Sequence, residues 1–187
     1  VATTLDMDDP RRRALFARVQ NSLGEQLSQG STYDFERAQK SFQQSVAIKK
    51  ELKPVDKPGL ARAYGGLGRL YLFAARKIED DSARRPLITR ARTYFQEDVE
   101  LCQDYGDVAG ECQMHSHLGE CEWLLGNADQ AVSHYERSME LSQSAISNAF
   151  ALLGLMKIAL AEGGERLQRY APRTLRFVEE NTLAPFL

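Results

Sequence analysis

The sequence predicts an all-α protein assembled from about four copies of one helix–turn–helix hairpin. Three observations carry that prediction. The dipeptide Leu-Gly occurs four times, as Leu23-Gly24, Leu67-Gly68, Leu118-Gly119 and Leu153-Gly154, always early in an amphipathic stretch and at spacings of 44, 51 and 35 residues. A small residue and an aromatic one follow the first three copies in fixed order: Ala38 and Phe42, Ala91 and Phe95, Ala131 and Tyr135. No segment sustains the period-two alternation of a half-buried strand, so no sheet is expected.

The physics of close packing explains why those types recur. Two antiparallel helices approach closely only where a small residue faces a large one. Glycine inside a helix costs roughly 1 kcal/mol against alanine, so its repeated placement needs a packing reason. Gly24, Gly68 and Gly119 are therefore expected opposite Ala38/Phe42, Ala91/Phe95 and Ala131/Tyr135. One hairpin alone cannot bury its apolar face, so the copies must stack.

Taken in order, helices are expected near 10–29 and 33–52 in repeat one (10–53), near 57–77 and 84–104 in repeat two (57–105), near 108–125 and 128–142 in repeat three (107–142), and near 144–162 and 165–180 in repeat four (144–180). Residues 1–9 read as a polar N-terminal tail. Gly30 followed by Ser31 and Thr32 ends the first helix and starts the second. Asp56 and Pro58 suit the cap and first turn of the third. Residues 75–86, ARKIEDDSARRP, form an insert within repeat two that lengthens its turn and either projects from one face or is a tolerated loop or an extra helical turn. Gly106-Asp107 separates repeats two and three. Gly126-Asn127 divides repeat three, with Asn127 and Gln130 spaced as a capping box. Repeat four is degenerate: Gly154 and Tyr170 remain, but Arg166 stands where alanine belongs. Gly163-Gly164 punctuates it, Pro172 interrupts its second helix between Leu167 and Phe177, and the tail Leu183–Leu187 is apolar.

Composition sets broad limits. With 187 residues, 43% hydrophobic and 27% charged, the chain fits one folded array rather than a disordered segment. Its net charge of −2 gives no global attraction to nucleic acid or anionic membranes. Three cysteines without framework spacing favour a reducing compartment, and a cytoplasmic location is expected. The longest apolar run, Ala149 to Met156, is far shorter than the ~20 residues of a membrane span. A start at Val1 rather than Met fits a piece of a longer protein. Charge is unevenly distributed: residues 1–96 hold 18 basic and 11 acidic side chains, while 97–187 hold 6 and 15.

The Leu-Gly, Ala and Tyr spacing of repeat three, in GDVAGECQMHSHLGECEWLLGNADQAVSHYERSMEL, resembles the tetratricopeptide superfamily, over roughly residues 15–160. The long repeat spacing resembles its longer-repeat branch of kinesin light chains, Pins-like scaffolds and bacterial signalling sensor arrays. The resemblance implies a right-handed α-solenoid whose first helices line a concave, protein- or peptide-binding groove. With Leu-Gly as positions seven and eight, the family's groove positions two, five, six, nine and twelve fall on Arg18, Asn21, Ser22 and Glu25, then Arg62 and Arg69, then Gln113, Ser116, His117, Glu120 and Trp123, then Asn148. Co-chaperone members clamp a carboxylate with Lys and Asn at positions five and nine of their first repeat. Asn21 and Glu25 stand there instead, which argues against that role.

Arg62 and Arg69 lie two helical turns apart on one face and either fork onto a partner's carboxylates or stand solvated. Trp123 is either a groove anchor or packing between repeats. Glu111, Glu120, Glu122 and Asp129 face a basic ligand or form a solvated acidic face. The charge division suggests a partner of mixed charge, basic where it meets repeat three, or head-to-tail self-association, or contact with another domain of the parent chain.

No catalytic constellation emerges, and no cofactor, metal, nucleic acid or membrane is expected. Cys112 and His115 fall on the opposite side of their helix from His117 and Cys121, so one ion cannot collect all four. Tyr64-Gly65-Gly66-Leu67-Gly68 lacks the lysine and preceding strand of a phosphate loop and reads as close helix packing. His134 is expected at the surface. The Arg11-Arg12-Arg13 run follows Asp6, Asp8 and Asp9, and no basic stripe with aromatics appears. The expected role is an interaction or sensor module of a larger signalling protein, with a stand-alone adaptor or a non-catalytic piece of a multidomain enzyme as alternatives.

Overall fold

A computed structural model of the chain describes residues 9–142 and 144–183, the last two by backbone alone. The N-terminal tail up to residue 8 and the apolar tail from 184 onward lie outside the described residues. The protein is all-α, with no strand among the described residues. Its helices are α1 (Pro10–Leu27), α2 (Phe35–Glu51), α3 (Lys57–Arg76), α4 (Asp81–Tyr105), α5 (Val108–Leu124), α6 (Ala128–Leu141), α7 (Ala145–Glu162) and α8 (Gly164–Leu183), with a 3-10 turn at Gly30–Thr32. Consecutive helices pair as hairpins, α1 with α2, α3 with α4, α5 with α6, and α7 with α8. The chain forms two compact units, dividing between Gly106 and Asp107.

Short acidic or hydroxyl side chains start six of the helices. Asp9, Asp34, Asp56, Asp80, Asp107 and Ser144 each accept a hydrogen bond from a first-turn backbone N–H. Each such cap stabilises its helix by about 1 kcal/mol. Asn127 departs from the expected capping box: it stands at the N-cap of α6, but its Nδ2 donates to Glu122 Oε2 at 2.7 Å. The insert is mostly helix rather than loop. Only Lys77–Asp80 connect α3 to α4, and residues 81–86 add the first turns of α4, including Pro86.

Proline 172 does not interrupt α8, which runs unbroken through it. Pro172 and Gln168, whose carbonyl loses its usual donor, are both exposed, so that carbonyl is open to solvent rather than left unsatisfied in the core.

Within each unit one aromatic ring fastens two hairpins together. In unit one Phe42 of α2 is fully buried against glycines of both α1 and α3: a Cβ added at Gly24 would lie 2.9 Å from its ring, and one at Gly66 only 2.4 Å away. In unit two Tyr135 of α6 stands in the same way between Gly119 of α5 and Gly154 of α7, where added Cβ atoms would come within 2.9 and 2.2 Å. Gly68 faces Phe95 inside its own hairpin at 2.4 Å. The expected pairing of glycine with the aromatic of its own hairpin therefore holds in the first three hairpins. Gly66 and Gly154 add the contact that stacks one hairpin on the next.

Helix α3 is the most enclosed, with 13 of its 20 residues buried. Around it Tyr64 stacks on Tyr94 of α4, and Tyr71 meets Phe35 edge-on. In unit two, Ala131, Tyr135, Ala151, Leu155, Ile158, Ala159 and Tyr170 form the core. The Tyr170 hydroxyl donates to Glu136 Oε1 at 2.8 Å; burial and that carboxylate push its pKa up to about 12.

Helix α7 is more apolar than the run Ala149–Met156 suggested. Its 18 residues average a hydropathy of 1.4, long and apolar enough to cross a membrane by length and composition alone. Five of them, Ala151, Leu152, Leu155, Ile158 and Ala159, are buried inside unit two.

Candidate binding face on the first helices

In unit one the candidate residues sit on α1 and α3. Arg18 and Glu25 are exposed, and Asn21, only 7% exposed, donates to Glu25 Oε1 at 3.0 Å. The Asn21 Oδ1 is buried with no hydrogen-bond partner. Arg62 and Arg69 stand exposed on α3 among neighbours that are buried, and among the described residues neither forms an ion pair.

Beside them lies a residue that the repeat pattern did not single out. Lys49, at the end of α2, is 1% exposed and donates from Nζ to the Gly59 carbonyl at 2.8 Å. Burial lowers its pKa; Asp56 and Glu25 act against that, while Arg62 and Arg18 reinforce it. This part of unit one thus gathers Arg18, Lys49 and Arg62 against Glu25 and Asp56. Only a lysine five residues before Pro54 marked it in the sequence, and a lysine in the last turn of a helix reads by default as solvated.

In unit two Gln113 is exposed on α5, whereas Ser116, His117, Glu120 and Trp123 are half-buried. The Ser116 hydroxyl lies 2.8 Å from that of Ser138 on α6. Trp123 packs against the core of α6–α8, so packing between the two hairpins holds at least part of its ring. The acidic residues of repeat three are largely engaged inside the unit. Glu111 is 7% exposed and meets Arg137 at 3.3 Å, Glu122 is 3% exposed and accepts from Asn127, and Asp129 pairs with Arg166. Glu120 is half-buried on α5.

His134 is half-buried rather than at the surface: its Nδ1 lies 3.0 Å from that of His115 across the α5–α6 hairpin. Burial, then the neighbouring His134, lower the His115 pKa to about 4 against the opposing pull of Glu111. Burial likewise lowers that of His134, opposed by Glu122. Cys112 Sγ donates to the Ser138 carbonyl at 3.2 Å, and Cys121 is fully buried.

Asn148 falls away from the outer face of α7. It is half-buried with its Oδ1 unpartnered, and lines a cavity of about 320 Å³ with Met139, Leu152, Arg173, Arg176 and Phe177. The cause is a shift of register in repeat four. Gly154 meets the aromatic of the preceding hairpin, as Gly66 does, not that of its own, as Gly24, Gly68 and Gly119 do. Gly154 therefore corresponds to Gly66, position six, and Met156 takes position eight. The caps agree: Asp56, Asp107 and Ser144 each precede position eight by twelve residues when that position is Gly68, Gly119 and Met156. Exposure agrees as well. In the shifted register positions two, five, nine and twelve become Phe150, Leu153, Lys157 and Leu160, all exposed, whereas the unshifted positions five to twelve, Ala151, Leu152, Leu155 and Ile158, are buried.

No protein-family model matches the chain, and no curated protein matches its sequence.

Proposed function

We propose that the chain is a tetratricopeptide-like right-handed α-solenoid of four repeats that binds protein or peptide partners through the outer faces of its first helices. The observation that carries this reading is α3. A helix with 13 of 20 residues buried keeps Arg62 and Arg69 at the surface, seven residues apart and without an ion pair to any described residue. Arginines so held are suited to forked bonds with a partner's carboxylates. The repeated glycine–aromatic fastening supports the family reading, because within each unit it stacks one hairpin on the next, as neighbouring repeats of an array stack.

On this reading the module is non-catalytic, works in the cytoplasm without a cofactor, and serves as the sensor or interaction part of a larger signalling protein. An adaptor that bridges two proteins is the second reading. It is favoured by the charge division, which offers acidic partners the first 96 residues and basic partners the remainder. Affinity capture with the wild-type chain beside Arg62→Ala/Arg69→Ala tests the proposal. A partner held by the first and released by the second is the expected result. Trp123 is left intact because truncating it would also disturb the unit-two core. A partner held equally by both would exclude the α3 face.

A further inference from the structure

Helix α7 carries apolar residues on two opposite sides. One side is the buried set already described. The other presents Ile146, Phe150, Leu153 and Leu160, which are 72%, 64%, 63% and 68% exposed. At ~100° per residue these four and Lys157 fall within an arc of about 80°. Their intervals of four, three, four and three residues are those of a heptad seam, the spacing by which one helix packs along another. The four side chains leave roughly 400–500 Å² of apolar surface in water, the size at which a monomer's largest patch is often functional.

We propose that this stripe docks an amphipathic helix of a protein partner, apolar along the face that meets α7 and cationic along the edge that meets α5. The proposal rests on the protein-binding reading above and names the partner's chemistry for repeat four. Helix-in-groove recognition uses anchors at this spacing, and α5, which packs beside α7, supplies the second wall. On α5 Trp123 and Glu120 are half-buried one helical turn apart, Glu120 is the acidic residue of that turn, and the helix carries no Lys or Arg at all. Between Ala145 and Leu160, Lys157 is the single charge on α7, so the matching partner places an acidic residue opposite it.

Charge and area argue against other occupants. Two copies of the chain paired in parallel would set Lys157 against Lys157. Their two apolar stripes alone would bury only about 900 Å², below the ~1,200 Å² of total area at which stable dimers begin. A lipid surface favours an apolar helix flanked by several Lys or Arg, whereas the outer face of α7 carries Lys157 alone and α5 carries no Lys or Arg.

The test uses fluorescent helical peptides about five turns long, in which a leucine or serine stripe is crossed with lysine or glutamate flanks. Anisotropy titrations are run against the full chain and against Phe150→Ser/Leu153→Ser. Both positions are solvent-facing, so the variant keeps its fold, and circular dichroism verifies this. The leucine-stripe, lysine-flanked peptide should bind at least about tenfold tighter than either the glutamate-flanked or the serine-stripe version, a gap of about 1.4 kcal/mol. The double substitution should remove at least about tenfold of that affinity, by the same conversion. Equal binding of the serine-stripe peptide, unchanged binding by the variant, or no peptide binding would overturn the proposal. So would a stripe-dependent doubling of mass in sedimentation, which would assign the face to a second copy, or stripe-dependent binding to phosphatidylcholine or phosphatidylserine vesicles without peptide binding. A partner captured through Arg62 and Arg69 but indifferent to Phe150→Ser/Leu153→Ser would leave the protein-binding reading standing and remove this one.

Discussion

Gly66 and Gly154 keep open the space that an aromatic ring of the preceding hairpin fills. A methyl group there would come within 2.4 Å of Phe42 and 2.2 Å of Tyr135, against 2.9 Å at both Gly24 and Gly119. Alanine at Gly66 or Gly154 should therefore cost about 2–3 kcal/mol by overpacking, and at Gly24 or Gly119 about 1 kcal/mol less. Urea unfolding of the four single variants checks that order. The His115–His134 pair makes a second residue-scale prediction. A folded pKa of about 4 for His115 lies below the unfolded value of 6.5, so the unfolded chain takes up its proton first. The stabilisation is complete above pH 6.5 and drains away as pH falls toward 4, by about 2 kcal/mol at pH 5 for this one residue. Unfolding free energy measured from pH 7 to 5 should show the loss, and His115→Gln should flatten it. At this scale the sequence was legible where a residue type had one packing reason, as with Gly24 facing Phe42. It was opaque for His134 and Lys49, whose burial depends on partners nineteen and ten residues away in the chain.

Among the elements, the start of α3 was readable because its Asp56 cap acts locally, and Pro172 misled because its effect depends on which side of the helix faces water. Since Pro172 is exposed in an otherwise regular helix, Pro172→Ala should stabilise the chain by about 1–2 kcal/mol. A thermal melt that moved downward would show that the proline has a packing role on α8. The fourth Leu-Gly pair gave the right hairpin and the wrong register. The dipeptide marks a glycine that meets an aromatic, but does not say whether the ring belongs to the same hairpin or the one before. A shift of two residues turns a helix by about 200°, which is why Asn148 replaced Phe150 among the candidates and the apolar stripe went unseen.

For the whole molecule, two units follow one construction rule, an aromatic of the first hairpin held between glycines of both. That rule was visible in the sequence as a repeat, and the all-α fold followed from it. The charge division was equally visible, but three of its acidic residues, Glu111, Glu122 and Asp129, turned out to be engaged inside unit two with Arg137, Asn127 and Arg166. What stays outward on the first helices is cationic on α3 and apolar on α7. Binding to an acidic partner through Arg62 and Arg69 should accordingly weaken as ionic strength rises from low to physiological values, while binding along α7, which joins an apolar stripe to one carboxylate, should weaken less.

Hydrogen–deuterium exchange of the chain, with and without a partner captured by it, tests most directly the claim that the first helices carry the binding face. Slowed exchange confined to α1, α3, α5 or α7 is the predicted result. Protection centred on α2, α4, α6 or α8, with the first helices unchanged, would contradict it.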